Sequence, residues 1–134
     1  MRLKYPYENR LSDSFGTIPT ITLWLDVISP NGPAPFFFLF DTGADVSSLP
    51  VKASKQLGID LDKCPEEQMT GIEGTVVTVF RSKIKILFNN KSFVVPCVLN
   101  PNKEVPLLLG RAGILDKFTI TLNAKKKIAT FEEI

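Results

Sequence analysis

Asp41, Thr42 and Gly43 stand directly behind the apolar run Phe36–Phe40, and a second acid, Asp45, follows four positions after the first. A carboxyl at the mouth of a buried strand is partly desolvated, which favours its neutral form unless nearby donors stabilise the charge. Gly43 allows a sharp loop that leaves amides uncovered beside the carboxylate, and the Thr42 hydroxyl can brace that loop. The sequence contains no histidine. A Ser-His or Cys-His nucleophile pair and a histidine-ligated catalytic zinc are therefore excluded, and any general acid or base must come from Asp, Glu, Lys, Tyr or Cys.

The elements around these residues read as mostly β. From Ile18 to Ile28, Ile21, Leu23, Leu25 and Val27 alternate with Thr20, Thr22, Trp24 and Asp26, the period of a half-buried strand. The segment Ser29–Pro35 turns the chain into Phe36–Phe40, an inner strand apolar on both faces that delivers Asp41. "LPVKASKQLGI" reads as one short helix, with Pro50 at its start and Gly58 after its end. "MTGIEGTVVTVF" reads as two extended arms around the tip Gly71–Gly74. Asn89 and Asn90 suit a tight hairpin because asparagine tolerates positive φ. In the strand after it, "KSFVVPCVL", Pro96 marks an edge or bulge. "KFTITL" and "KKIATF" are the last strands, joined by a solvated turn at Lys125–Lys127.

The 134 residues suffice for one core, and 44% apolar with 22% charged residues is the composition of a soluble globular protein. A net charge of +2 implies neither nucleic acid nor an anionic membrane as partner. The longest apolar stretch is too short to cross a bilayer, and the first residues lack a signal-peptide core; the expectation is a cytoplasmic protein. Cys64 and Cys97 lack metal-type spacing and read as two separate thiols.

The tripeptide Asp-Thr-Gly alone is weak, but its context is specific. The order "FLFDTGAD", then "MTGIEG", then "PLLLGRAGILDKFTITLN" resembles the retropepsin-type aspartic proteases, the single-lobed relatives of pepsin, from about Ile18 to Asn123. The resemblance implies the acid protease fold, a closed β-barrel with one or two short helices and one lobe per chain. It implies a protease domain, residues 18–134; the N-terminal arm before it, residues 1–17, has no counterpart in the family, and a docked arm and a disordered leader both stand as readings of it. Departures from viral forms point to a bacterial or archaeal member.

Carried over by position, the resemblance implies Asp41 as the catalytic acid and Thr42, Gly43 and Ala44 as its loop. Gly71, Ile72, Glu73 and Gly74 match a flap over the substrate, and Asp45 borders the same site. Gly110 and Arg111 match the support of the active-site loop, with Asp45 and Arg111 pairing; the alternative is a mere surface ion pair, worth about 0–1 kcal/mol.

The implied reaction is aspartic endopeptidase hydrolysis of an extended peptide, with no cofactor, no metal and no covalent intermediate. Two carboxylates must share a proton, because two like charges about 3 Å apart cannot both ionise. The chain has one Asp-Thr-Gly, so the chemistry requires a C2 homodimer. Two other readings stand beside this one: a catalytically silent dimerisation or peptide-binding module on the same fold, and a small β-barrel with an accidental motif.

Glu73 stands where retroviral flaps carry glycine. Either it faces solvent, or it approaches the dyad, favours the protonated form and moves activity toward higher pH. A Glu73→Gln variant separates the two: the acidic limb of the pH–rate profile moves to lower pH only in the second case.

Overall fold

The computed structural model describes residues 1–70 and 74–134. Its main sheet is built around the strand that carries Asp41. β4 (Thr22–Ser29) and β5 (Gly32–Phe40) form an antiparallel hairpin in register from Thr22↔Leu39 to Ser29↔Gly32. The expected alternation holds along β4: Leu23, Leu25 and Val27 are buried, whereas Trp24 and Asp26 face out. β5 is inner, since β10 (Leu108–Leu109) pairs with it in parallel on its other edge.

β10 in turn pairs with β6 (Ser47–Pro50), and β6 runs parallel to β9 (Lys91–Asn100). β9 is antiparallel to β8 (Val76–Phe88) from Phe80↔Leu99 to Phe88↔Lys91. β8 then meets β4 through Asp26↔Leu87 and Val27↔Ile86, which closes the sheet on itself. β7 (Glu66–Thr70) pairs with the first part of β8 and forms with it the hairpin whose tip residues Gly71, Ile72 and Glu73 lie outside the described residues.

Asn89 and Asn90 make the β8–β9 turn with φ of 48° and 69°, the left-handed values asparagine tolerates. Pro96 pairs with Lys83 on one side only and is the last residue of β9 before β6 begins alongside at Cys97. Its missing N–H therefore falls where the strand still has an open edge.

Two expectations are corrected. The helix is shorter than its apolar pattern: α1 spans only Ala53–Leu57, closed by Gly58 at φ 69°. Leu49 and Pro50 belong instead to β6, all four of whose residues are buried, because pairing with Cys97–Asn100 outweighs the start signal of a proline. The run from Ile18 to Ile28 is divided at Ile21. Upstream of it, β3 (Gly16–Thr20) pairs with β2 (Glu8–Ser12) in a separate two-stranded hairpin.

A third sheet carries the remaining segments. β12 (Ile128–Glu133) lies between β1 (Arg2–Pro6) and β11 (Phe118–Asn123), antiparallel to both. The β11–β12 loop is the exposed Lys125–Lys127 turn. Phe131 of β12 packs edge-on against Phe40 at 5.3 Å and stacks over Phe88 at 6.2 Å, and Phe118 closes on Phe88 at 4.8 Å. This aromatic cluster fastens the small sheet to the strand that ends at Asp41. Each such pair adds about 0.5–1.5 kcal/mol beyond the area it buries.

Cys64 and Cys97 are both free thiols, Cys97 buried and Cys64 half-buried. Burial, reinforced by the neighbouring Cys64, pushes the Cys97 thiol up from 9.0 to about 12, and burial also raises Tyr5. The folded chain thus keeps protons that the unfolded chain releases. Stability from this source is present below pH 9 and is lost as pH rises from about 9 toward about 12. Urea midpoints should therefore fall from pH 9 upward, with Cys97 contributing up to about 1.4 kcal/mol per pH unit. Cys97→Ala should flatten that part of the dependence.

Candidate active site

The end of β5 is pinned on both sides. Phe40 N–H donates to the Ile21 carbonyl at 2.9 Å, and Asp41 N–H donates to the Leu109 carbonyl at 3.0 Å. Fixing the backbone here aims the Asp41 side chain, which is half-buried, out of the sheet into an exposed loop. Its Oδ1 accepts the Gly43 N–H at 2.8 Å, and its carbonyl accepts the Ala44 N–H at 3.2 Å. A Cβ on residue 43 would stand 3.1 Å from that Oδ1. Glycine thus keeps the amide within reach of the carboxylate without crowding it.

The segment after β10 laces the loop from the other side. Arg111 N–H donates to the Ala44 carbonyl and Ala112 N–H to the Asp45 carbonyl, each at 2.9 Å. The Arg111 guanidinium donates through Nη1 to the Thr42 carbonyl at 3.3 Å and through Nη2 to the Asp45 carboxylate. Both partners of this ion pair are largely exposed, so its own strength is modest, about 0–1 kcal/mol. Its geometric effect is larger, since one side chain ties two points of the loop. Arg111→Ala is expected to lower stability by about 1 kcal/mol in urea titration.

Gly110 sits deeper. Its N–H donates to the buried Ser47 hydroxyl at 3.0 Å, and a Cβ there would lie 2.4 Å from the Val46 carbonyl carbon and oxygen. Ser47 escaped the sequence reading. A serine inside "DVSSLP" carries no pattern that marks it as the acceptor for an amide 63 residues away.

Thus the structure brings Asp41, Thr42, Gly43, Ala44, Asp45, Gly110 and Arg111 into one bonded unit. Gly74, at φ 78°, stands two residues before β8. Gly71, Ile72 and Glu73 fall outside the described residues. Phe38, Phe40 and Leu109 are buried, whereas Leu107 is half-buried and lines a cleft beside Leu39.

Between the loop and the hairpin arms runs a cleft of about 330 Å³. Its floor is Gly43, Ala44, Val46 and Leu108, and its far wall includes Met69 and Val77. A second, larger hollow of about 590 Å³ shares Asp45, Val46, Met69 and Val98 with its lining, and Glu67 and Arg81 add charge there. An extended chain laid along this trough would meet an apolar wall beside the Asp41 loop and polar groups farther out. Among the described residues no helix is long and apolar enough to cross a membrane, and no group of three or more His, Cys, Asp or Glu is arranged to hold a metal ion.

The sequence model of the aspartyl protease family matches residues 27–112, which include the Asp41 loop, the β7–β8 hairpin and Gly110–Arg111. No curated protein matches the chain. Among solved structures, a retropepsin-like aspartic protease from Rickettsia conorii superposes with a TM-score of 0.69 at 14% identity, over 98% of this chain and 89% of that one. EIAV protease, in complex with the inhibitor HBY-793, superposes with a TM-score of 0.50 at 22% identity, over 67% of this chain and 80% of that one. At such identities these structures speak for the fold, and the sequence match spans more than half the chain. The chain belongs to the aspartyl protease family and has the retropepsin-like fold.

Proposed function

We propose that the protein is an aspartic endopeptidase that works as a homodimer, with one Asp41 from each copy forming the catalytic pair. The observation that carries this reading is the setting of Asp41. It is held at the open end of an inner strand by backbone bonds, with the Gly43 amide on one carboxylate oxygen, and it lies beside a cleft that suits an extended chain.

In the dimer the two carboxyls hold one proton between them. The ionised one takes a proton from a water molecule lying between them as the water oxygen bonds to the scissile carbonyl carbon. The protonated one gives its proton to the carbonyl oxygen. The tetrahedral adduct then collapses: the carboxyl that took the water proton gives it to the amine nitrogen as the C–N bond breaks, the other carboxyl takes a proton from one hydroxyl of the adduct, and the new carboxyl remains beside a pair that again holds one proton. Thr42, Gly43 and Ala44 hold the loop, Gly110 and Arg111 support it from beneath, and Asp45 with the flap segment, Gly71 to Gly74, lines the substrate path. The peptide binds as an added strand, its main chain supplying affinity and alternate side chains entering the trough.

The test is incubation with an unfolded protein substrate from pH 3 to 7, with and without a statine-type transition-state analogue. Cleavage at acidic to neutral pH that the analogue suppresses is expected. A proven dimer that cleaves nothing across this range would instead identify a silent module on the same fold.

A further inference from the structure

The β2–β3 hairpin pairs with no strand but itself. A lone two-stranded hairpin is marginal in water unless something covers it. Its end carries Leu11 and Phe15, each 81% exposed, more than any other large apolar side chain among the described residues except Ile134. Neither belongs to the core or packs against it.

Its direction says what lies in front of it. β4 starts at Thr22, level with Leu39, and runs away from the end that bears Asp41. β3 enters β4 through Ile21 alone, a residue in neither a turn nor a bend, whose carbonyl is bonded to Phe40 N–H. Traced backward, β3 therefore leaves the sheet at the level of Phe40 and Asp41, with Glu8, Asn9 and Arg10 of β2 still lining a cleft beside Phe37, Leu39 and Leu107 and only the tip extending beyond them. Five residues carry its tip up to about 17 Å farther. If two Asp41 carboxylates meet about 3 Å apart, whatever projects this far past them lies alongside the other copy.

We propose that the β2–β3 hairpin is a dimer arm whose tip, Leu11 and Phe15, seats on a second copy of this chain. The inference rests on the paired-Asp41 reading for the position of the second copy. Two-fold symmetry makes the contact reciprocal, so each tip counts twice.

Sedimentation equilibrium of the full chain and of a Leu11→Ser, Phe15→Ser double variant tests it, with circular dichroism to check that the variant keeps its β structure. The dimer dissociation constant should rise at least about tenfold in the variant. A second arm places photo-reactive benzoylphenylalanine at position 15; irradiation should give a covalent dimer, and it decides the matter if the double variant does not fold. An unchanged dissociation constant, cross-links only within one chain, or a raised KM with an unaltered dimer would each overturn the proposal. A wild-type chain that stays monomeric at about 100 μM would overturn both this arm and the paired-Asp41 reading, far above the working range of a specific dimer. A dimer weakened as expected, but with no peptidase activity in the wild type, would overturn only the peptidase reading.

Discussion

Asp41→Asn is expected to lower kcat by about 10²–10⁴-fold, the range lost when a positioned acid–base group is removed, while fold and dimer persist. The isolation of the effect follows from the loop geometry. The carboxylate Oδ1 takes the Gly43 N–H at 2.8 Å, and an asparagine carbonyl oxygen can take the same bond. The backbone bonds from Asp41 to Leu109 and Ala44 do not involve the side chain at all. What asparagine cannot do is hold and release the proton that the proposed pair shares. Steady-state kinetics on an unfolded substrate, beside sedimentation and circular dichroism, reads each part separately. Activity within about tenfold of wild type would mean that another group does the chemistry.

Gly110→Ala should be the most damaging added methyl among the described glycines, at about 2–5 kcal/mol, when overpacking and a broken buried hydrogen bond are combined. The added carbon would stand 2.4 Å from the Val46 carbonyl carbon and oxygen and 2.9 Å from Ser47 N, all of them backbone. No side chain can swing aside, so the two strands must separate. Separation stretches the Gly110–Ser47 bond and with it the bonds of Arg111 and Ala112 to the loop carbonyls. Urea denaturation reads the stability, and kcat should fall as well because the loop that holds Asp41 loses its support. A loss below about 1 kcal/mol would show that the segment gives way more easily than this packing implies.

The site was legible where chemistry and local pattern coincide. Phe36–Phe40 is a continuous apolar run that a charged residue interrupts at once, and Leu23, Leu25 and Val27 keep a strict alternation; both signals lie within a few residues. The Asn89–Asn90 turn needs only two. What stayed hidden depends on partners far along the chain. Pro50 looked like a helix start because nothing nearby reveals that Ser47–Pro50 will be buried beside Cys97–Asn100. The break at Ile21 comes from β2 claiming the residues before it, and Ser47 matters only because Gly110 arrives above it. Local periodicity records which face of a segment is buried, not which segment buries it.

Mixing wild-type and Asp41→Asn chains measures the central claim most directly. If each site takes one Asp41 from each copy, a fully exchanged equal mixture should retain about one quarter of the activity of the same total amount of wild type, because only wild-type pairs work. Retention of about one half, in proportion to the wild-type chains present, would mean that each chain carries a complete site of its own and would contradict the shared pair.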